Sequence, residues 1–212
     1  KNDRKEETKD IRLLAADYQG TLKKGHPREL SLGVFGLKKM LLESDFKNFL
    51  KSFVGNGIRG GLKYFERDNG THFIENLGKI LEGYDEEVFE QFKQNDRGSD
   101  FYNNFMTELL PETGRGGGFY EDSMEVFSKS SDKMETMIYS QSLEELIESD
   151  LSNGGYQDIF DTVIGNDIMV EEGKIKGIEW EVDDPYTPLE EQKLGFLDEI
   201  KERGYEVDEV AY

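Results

Sequence analysis

Cysteine is absent from the 212 residues, and histidine occurs only twice, as His26 and His72. Without cysteine the chain has no disulfide, no thiol nucleophile and no thiolate ligand for a metal. Both histidines stand in polar surroundings, which argues against a histidine-based zinc centre and against a serine–histidine triad. Any chemistry must therefore come from carboxylates, hydroxyls, lysine and a metal held by oxygen ligands. The lack of cysteine also fits the reducing cytoplasm, where we expect the protein to work.

Positive charge is scarce as well: 26 lysines and arginines stand against 46 aspartates and glutamates, which gives a formal net charge of −20. A chain of this charge repels phosphate backbones and anionic lipid surfaces, so we expect neither nucleic acid nor a membrane among its partners. We find no apolar run long enough for a membrane span or for the core of an export signal. Residues 1–10 are mostly charged, and we expect them to fray.

The apolar content is modest, with 35 % hydrophobic residues, but 14 phenylalanines and 10 tyrosines are enough to form a core. Short apolar runs predict strands, and apolar residues at helical spacing predict helices between them. Because strands and helices alternate at both ends of the chain, we expect an α/β fold with a parallel sheet. The predicted strands are 11–16, 134–139, 159–164, a hairpin over 167–182 with its turn at Glu172-Gly173, and 207–212. The predicted helices of this part are 123–128, 143–151 and one that follows Thr187 and ends at Gly204.

A long helical segment interrupts this alternation after the first strand. From residue 30 to residue 110 the apolar residues recur at helical spacing, and glycine-rich breaks divide them into several short helices. One predicted helix starts near Thr71, and another carries Val88, Phe89 and Phe92. We therefore assign residues 1–24 and 119–212 to an α/β core and residues 25–118 to an inserted all-helical domain.

Polar residues follow two of the predicted strands, at the sheet edge where the ligands of such folds bind. Asp17 comes directly after the first strand, and a carboxylate in this position can act as a nucleophile towards phosphorus. A tight turn at Gly20-Thr21 would leave backbone N–H groups for an oxyanion. An aspartate that only shapes the turn is the alternative, and on these residues alone the two interpretations are about equally good.

Ser140 has the same relation to the second strand, and its hydroxyl is suited to donate to a phosphate oxygen. Ser142 is the better candidate for the cap of the next helix, because Glu145 follows three residues later, as in a capping box. Lys193 lies in the predicted helix after Thr187, from which a lysine can reach the site. Taken alone, a solvated lysine on a charged helix is the better explanation of Lys193.

Three segments together resemble motifs of the haloacid dehalogenase superfamily, in the branch that contains phosphoserine phosphatase. They are LLAADYQGTL at 13–22, MIYSQS at 137–142 and Lys193 within EEQKLGFLDEIKERGY. The hairpin NDIMVEEGKIKGIEWEV is similar to the piece that follows the third core strand in that branch. The resemblance extends from Ile11 to Tyr212, and it implies a Rossmann-like parallel sheet core with an inserted all-helical cap domain.

Carried over to this sequence, the resemblance implies that Asp17 is the nucleophile and that Lys193 balances the negative charges around it. It also implies a magnesium ion, bound by the Asp17 carboxylate and the backbone carbonyl of Gln19, and Mg²⁺ suits a site built only from oxygen ligands. The implied phosphate-binding residues are Thr21, Ser140 and Gln141.

Two features depart from the family pattern. Family phosphatases carry a second aspartate two positions after the nucleophile, which protonates the leaving group and then activates water, but this position is Gln19 here. Because general acid–base help is worth about 10²–10⁴-fold, its loss is expected to slow the hydrolysis of ordinary phosphate esters. The family's acidic metal-binding loop is expected after the strand EVDEVAY, with which the sequence ends, so the loop either lies beyond Tyr212 or is missing from the protein.

The other charged residues that could bind substrate are also explained by exposure to solvent. Arg59, in a glycine-rich turn of the insertion, is a candidate for binding an anionic group of the substrate, although a surface arginine in a turn explains it better. Arg115, in the return linker, is similar. The acidic pairs Glu144-Glu145 and Asp183-Asp184 are predicted to be solvated surface.

The sequence thus predicts a magnesium-dependent phosphohydrolase that acts on a small phosphorylated metabolite through an aspartyl-phosphate intermediate, with a helical cap over the site. One alternative is a ligand- or protein-binding module that has lost catalysis. Another is a hydrolase of a different type, such as a dehalogenase or an enzyme for activated phosphates. Gln19 favours both alternatives. The sequence makes no prediction of the oligomeric state.

Overall fold

The computed structural model describes residues 10–24, 29, 32–33, 36, 70–94, 118–183, 187, 191 and 194–212. Its strands are β1 Leu13–Ala16, β2 Glu135–Leu143, β3 Thr162–Glu171, β4 Lys174–Glu179 and β5 Val210–Ala211. They form one sheet in the order β4-β3-β2-β1-β5. β1 pairs in parallel with β2 and β5, β3 pairs in parallel with β2, and β4 pairs antiparallel with β3. The predicted α/β class with a mainly parallel sheet is confirmed.

Helices flank this sheet in the described part of the chain. They are α1 Gly70–Leu81, α2 Glu86–Gln94, α3 Glu121–Ser130, α4 Glu144–Gly154 and α5 Leu194–Glu202, together with a 3₁₀ turn at Val207–Glu209. Each α-helix overlaps a segment in which apolar spacing predicts a helix. Across the ranges that the structure covers, none of these helices has the length and apolar character needed to cross a membrane.

The centre of the sheet is buried on both faces, as expected for parallel strands with helices on each side. Leu13 and Ala15 of β1 belong to a core cluster with Phe196 and Ile200 of α5. Ala16 belongs to a different cluster, which contains residues of α3 and α4. The members of that second cluster are Ala16, Tyr18, Leu22, Met124, Phe127, Ile138, Ile147, Leu151 and Phe160. Because β1 is packed on both faces, the position of the residue that follows it is fixed.

The predicted hairpin is present and consists of the second half of β3 and all of β4. Both residues of its turn have positive φ, at 52° for Glu172 and 73° for Gly173. Two positive φ angles in a two-residue turn match the twist of the flanking strands, and glycine accepts such angles without strain. The turn predicted at Glu172-Gly173 is therefore confirmed.

Helices α1 and α2 pack on this hairpin. Leu77 and Phe89 share one core cluster with Ile168 of β3 and Ile175 of β4, and the same cluster reaches Leu143 and Leu146 at the start of α4. The insertion enters and leaves the core at one place, because the Lys24 N–H donates to the Gly118 carbonyl at 3.1 Å. Most of residues 25–118 lie outside the described residues, so the separate cap domain stays a prediction.

The last predicted strand differs from the observed structure. The sequence predicts a strand from residue 207, but Val207–Glu209 forms a 3₁₀ turn and β5 contains only Val210 and Ala211. The turn is held by a reciprocal cap, in which the side chains of Glu206 and Glu209 each accept from the backbone of the other. Apolar alternation alone does not reveal such a cap, because the pairing depends on the side chains of two glutamates.

The close approach of β3 to the start of α4 gives a test of the fold. An added Cβ at Gly165 lies 2.7 Å from the backbone N of Glu144 and 2.7 Å from the carbonyl oxygen of Ser142. We expect Gly165→Ala to lower the free energy of unfolding by about 1–3 kcal/mol, because backbone atoms must move to make room. Gly118→Ala is the matched control, since nothing lies within 4 Å of its added Cβ. Urea unfolding checks both, and equal stability of the two variants contradicts the packing described.

Candidate active site

The loop after β1 is closed by its own backbone. Leu22 N–H and Lys23 N–H both donate to the carbonyl oxygen of Tyr18 at 3.0 Å, and Gly20 N–H donates to that of Lys23 at 3.1 Å. Gly20 has φ of 80°, a left-handed conformation that favours glycine. Asp17 stands at the start of this loop, partly buried, and its Oδ1 accepts from Tyr18 N–H at 2.7 Å. The loop therefore presents Asp17 at the carboxyl edge of the sheet.

Strand register brings the second predicted site segment to the same edge. Ala16 of β1 pairs with Ile138 of β2, so Asp17 and Ser140 both follow shortly after this pair on neighbouring strands. Ser140 is buried, and its Oγ accepts from the N–H of Ser142 at 3.3 Å. The sequence predicts that Ser140 follows a strand ending at residue 139, but β2 continues to Leu143, so Ser140 lies within the strand. It stands two residues past the last β1–β2 pair, and Asp17 stands one residue past it.

The predicted cap of α4 is wrong. Ser142 belongs to β2, the N-cap residue is Leu143, and no side-chain cap bond is formed there. Instead the Leu143 N–H donates to Oε1 of Glu29 at 2.9 Å. Local capping rules missed this partner because Glu29 lies 114 residues away in the chain. The side chain of Glu29 therefore caps α4 in place of a local side chain. The partial positive charge of a helix N-terminus favours an oxygen acceptor in this position.

Glu29 itself is a site residue that the sequence did not reveal. It is 2 % exposed. Burial raises the pKa of its carboxyl, and the neighbouring charge of Asp150 adds to the rise, while hydrogen bonds from its own backbone, from Leu143 and from Ser142 oppose it. Glu29 belongs to the insertion, so its bond to Leu143 connects the insertion to the start of α4.

A second polar network is centred on Asn166 and includes the backbone of Gln141. Asn166 of β3 is fully buried, and its amide donates to the carbonyl of Gln141 at 2.8 Å. Its Oδ1 accepts from the N–H groups of Glu181 and Val182 at 3.0 and 2.8 Å. Asn166 thereby joins the end of β2 to the segment after β4. Sequence reasoning missed it, because Asn166 falls between the predicted strand 159–164 and the predicted hairpin 167–182, which the structure joins into the single strand β3.

Gln141, a predicted phosphate-binding residue, is already engaged through its side chain. Its Nε2 donates to Oδ2 of Asp183 at 3.0 Å, and Asp183 has φ of 44°, an uncommon value for a residue other than glycine. Burial raises the pKa of the adjacent Tyr139 to about 12, and the charge of Asp183 contributes. The prediction that Asp183 belongs to solvated surface is therefore wrong, because it contacts the site segment.

The prediction of solvated surface also fails for the pair at the start of α4. Both glutamates are partly buried. Glu144 accepts from the N–H of Gly165 at 3.1 Å, and burial raises the pKa of its carboxyl. Glu145 forms an ion pair with Lys93 of α2. These contacts tie the start of α4 to the first half of β3 and to the insertion.

The other predicted site residues are placed as follows. Thr21 is exposed, and its carbonyl oxygen accepts from the hydroxyl of Ser123 at 3.0 Å. Helix α5 begins at Leu194, and Gly195 packs so closely on Tyr139 that an added Cβ would lie 2.7 Å from the tyrosine hydroxyl. Lys193 and Arg59, and also Arg115, lie outside the described residues.

The oxygen atoms at the start of the first loop fit part of a magnesium site. Asp17 supplies a carboxylate, and the Gln19 carbonyl accepts none of the backbone hydrogen bonds found between described residues. Mg²⁺ is typically held by one or two carboxylates, with water and substrate phosphate as further ligands, so these two donors suit it. Within the ranges described by the structure, no cluster of three or more His, Cys, Asp or Glu side chains is placed to hold a metal.

Comparisons with known proteins point to one fold. No protein-family model matches the sequence, and no curated protein matches it significantly. A substrate-bound phosphoserine phosphatase is similar in structure, with a TM-score of 0.53 and 14 % identity over 95 % of this chain and 76 % of the other. The chain has the fold of haloacid dehalogenase hydrolases.

Two further solved structures agree with this assignment. A phospho-aspartyl intermediate analogue of phosphoserine phosphatase has a TM-score of 0.53 and 15 % identity, over 95 % of this chain and 77 % of that one. A HAD family hydrolase from Salmonella enterica subsp. enterica serovar Typhi has a TM-score of 0.50 and 10 % identity, over 93 % of this chain and 54 % of that one. At these identities the likeness establishes the fold, as the sequence motifs predicted.

The burial of Glu29 predicts how the free energy of unfolding depends on pH. Its folded-state pKa lies above the ordinary value of 4.5, so the native state retains a proton that the unfolded chain releases. The stability contributed by Glu29 is therefore present below about pH 4.5 and is lost as the pH rises through the folded pKa. Glu29→Gln keeps an oxygen acceptor for Leu143 but cannot ionise. We expect the free energy of unfolding of this variant to rise relative to the parent as the pH increases above 4.5.

Glu125→Gln is the control for this measurement. Glu125 is exposed, and the hydrogen bond and charge of Lys129 lower the pKa of its carboxyl. Its stabilising effect is present above its unfolded pKa, so Glu125→Gln should lose stability relative to the parent as the pH rises. Chemical unfolding across the pH range measures both differences. A Glu29→Gln difference that does not change with pH contradicts the raised pKa of Glu29.

Proposed function

We propose that this protein is a phosphohydrolase for a small phosphorylated metabolite, with Asp17 as the nucleophile. The observation that supports the proposal is that Asp17 and Ser140 stand one and two residues past the last pair of two neighbouring parallel strands, inside the fold of haloacid dehalogenase hydrolases. Ligands of open α/β sheets bind outside these strand ends. The net charge of −20 makes a small substrate more suitable than a polyanion.

The proposed reaction has two steps. In the first, a carboxylate oxygen of Asp17 forms a bond to phosphorus while the bond from phosphorus to the ester oxygen breaks, and the departing alkoxide takes a proton. In the second, water attacks the aspartyl phosphate, which releases inorganic phosphate and restores the carboxylate. Ser140 is proposed to donate to a phosphate oxygen. The Gly20 N–H already donates to the Lys23 carbonyl at 3.1 Å, so it is not proposed as a donor to the phosphate. Lys193 is the proposed cation that balances the charges.

Magnesium is proposed as the cofactor, held by the Asp17 carboxylate and the Gln19 carbonyl. When bound, it would neutralise phosphate charge and so reduce the repulsion between phosphate and nucleophile. The side chain of Gln19 cannot give or accept a proton usefully near neutral pH. The alkoxide and the hydrolytic water must then find protons and a base elsewhere, and both steps are expected to be slow for alkyl esters.

Replacement of the nucleophile is the first test of the proposal. Asp17→Asn keeps the shape and most hydrogen bonds of the side chain but removes the attacking oxygen, so we expect phosphatase activity to fall by roughly 10³-fold or more with unfolding unchanged. Asp132→Asn is the control, because Asp132 is exposed in the turn before β2, at the other edge of the sheet. Steady-state assays on p-nitrophenyl phosphate measure both. Turnover near the parent rate in folded Asp17→Asn protein rules out the nucleophile assignment.

The glutamine two positions later allows a second test. We expect Gln19→Asp to raise turnover of alkyl phosphates by about 10-fold or more relative to aryl phosphates, because only the alkoxide needs an acid to protonate it. The comparison is a ratio between substrate classes, so it does not depend on knowing the natural substrate. An unchanged ratio on folded, magnesium-loaded protein contradicts the general-acid argument and favours a module that binds without catalysis.

A further inference from the structure

A buried carboxylate on α4 holds both ends of the loop that carries the proposed nucleophile. Asp150 is 6 % exposed. The hydroxyl of Tyr18 donates to its Oδ2 at 2.6 Å, and Nζ of Lys23 lies 3.1 Å from the same oxygen. Tyr18 and Lys23 are also the residues whose backbone groups close this loop. One carboxylate oxygen therefore binds the side chains at both ends of the turn.

The surroundings of this contact are apolar, which strengthens it. Tyr18 is 2 % exposed and belongs to the core cluster between β1, α3 and α4. Nζ of Lys23 lies 4.7 Å from the centre of the Phe119 ring, and that ring packs edge-on against Tyr156 at 4.9 Å between centroids. Hydrogen bonds between charged and polar groups are stronger in such surroundings, and a missing partner is correspondingly costly.

The contact also links three parts of the site. Asp150 lies on the helix that follows the Ser140 segment, Tyr18 is bonded covalently to Asp17, and Phe119 lies where the chain returns from the insertion. A shift of Tyr18 therefore moves Asp17. Because a misplacement of reacting atoms by about 1 Å can cost roughly 10²-fold in rate, small changes here are expected to affect chemistry.

We propose that Asp150 is a positioning residue for the reaction: through Tyr18 and Lys23 it fixes the Asp17 loop relative to the Ser140 segment. This inference rests on the proposed function, and it assigns a role to residues other than the proposed nucleophile, phosphate-binding residues and metal ligands. Asp150 lies in none of the three motif segments. Tyr18 lies within the segment 13–22, but the resemblance implies no role for its hydroxyl.

The chain contains a matched control at the opposite edge of the sheet. Glu135, the first residue of β2, accepts from the hydroxyl of Tyr205 and forms an ion pair with Arg203 at 3.1 Å. It thus repeats the arrangement of one carboxylate with one tyrosine and one cation, far along β2 from Ser140. Substitutions there remove the same kinds of interaction without reaching the site.

Four variants of the full-length protein test the proposal: Tyr18→Phe, Asp150→Asn, Tyr205→Phe and Glu135→Gln. Rates on p-nitrophenyl phosphate with magnesium are normalised to the folded fraction, which urea unfolding gives for each variant. We expect Tyr18→Phe to lower kcat by about 10-fold with KM changed by less than about twofold, because the loop loses its anchor while phosphate groups still bind. Asp150→Asn should lower kcat further, and the two control variants should leave kcat within about twofold of the parent.

The outcomes distinguish the positioning role of Asp150 from the proposed phosphatase activity. If the parent is active and Tyr18→Phe and Asp150→Asn keep its kcat, the positioning role is wrong while the phosphatase stands. If Tyr205→Phe and Glu135→Gln lower kcat as much as their counterparts do, the effect is general loss of stability and the positioning role is again wrong. If the parent itself has no activity on any phosphate ester with magnesium, the proposed function fails and the positioning role fails with it. Should Asp150→Asn not fold, Tyr18→Phe decides, since it leaves the Lys23 pair in place.

Discussion

The parallel pairing of β1 with β2 is the constraint on which the rest of this structure depends. β1 has only four residues, yet it is packed by different core clusters on its two faces and paired with strands on both sides. A one-residue slip of its register would exchange the two faces, which the burial of both does not permit. The same register brings Asp17 and Ser140 to one edge. The site is therefore a consequence of how the core is packed.

Helix α4 is the second organising element, and buried carboxylates surround it. Glu29 accepts from the N–H of Leu143 at its start, and Asp150 in its second half holds the Asp17 loop. Both lie in the interior of a protein with a net charge of −20, although burial of like charges is costly. Each of them is stabilised by donors, namely backbone N–H groups for Glu29 and a hydroxyl with an ammonium group for Asp150. Strong donors of this kind are what such buried acids require.

Sequence patterns were sufficient for the α/β class and for bringing Asp17 and Ser140 onto neighbouring strands, whereas Lys193 and most of the predicted cap domain lie outside the described residues. Apolar spacing predicted the elements from Leu13 to Glu202, and the polar residues after two strands located the site edge. The patterns failed where a partner lies far away in the chain, as with Glu29 at the start of α4, in place of the expected Ser142. They failed again for Glu144 and Asp183, whose burial depends on how separate segments pack. Glutamate and aspartate are expected on the surface from their residue type alone, and only the tertiary contacts show which of them are buried.

The central claim is that the carboxylate of Asp17 becomes covalently phosphorylated. Its most direct test is an acid quench of the full-length protein during turnover of an aryl phosphate with magnesium, followed by mass spectrometry of its peptides. Because Gln19 cannot activate the hydrolytic water, we predict that the acyl phosphate persists and that phosphate is found on the peptide containing Asp17. Hydroxylamine should remove it, as it does from acyl phosphates but not from phosphate esters. Rapid turnover with no phosphate on this peptide, at any quench time, would contradict the account.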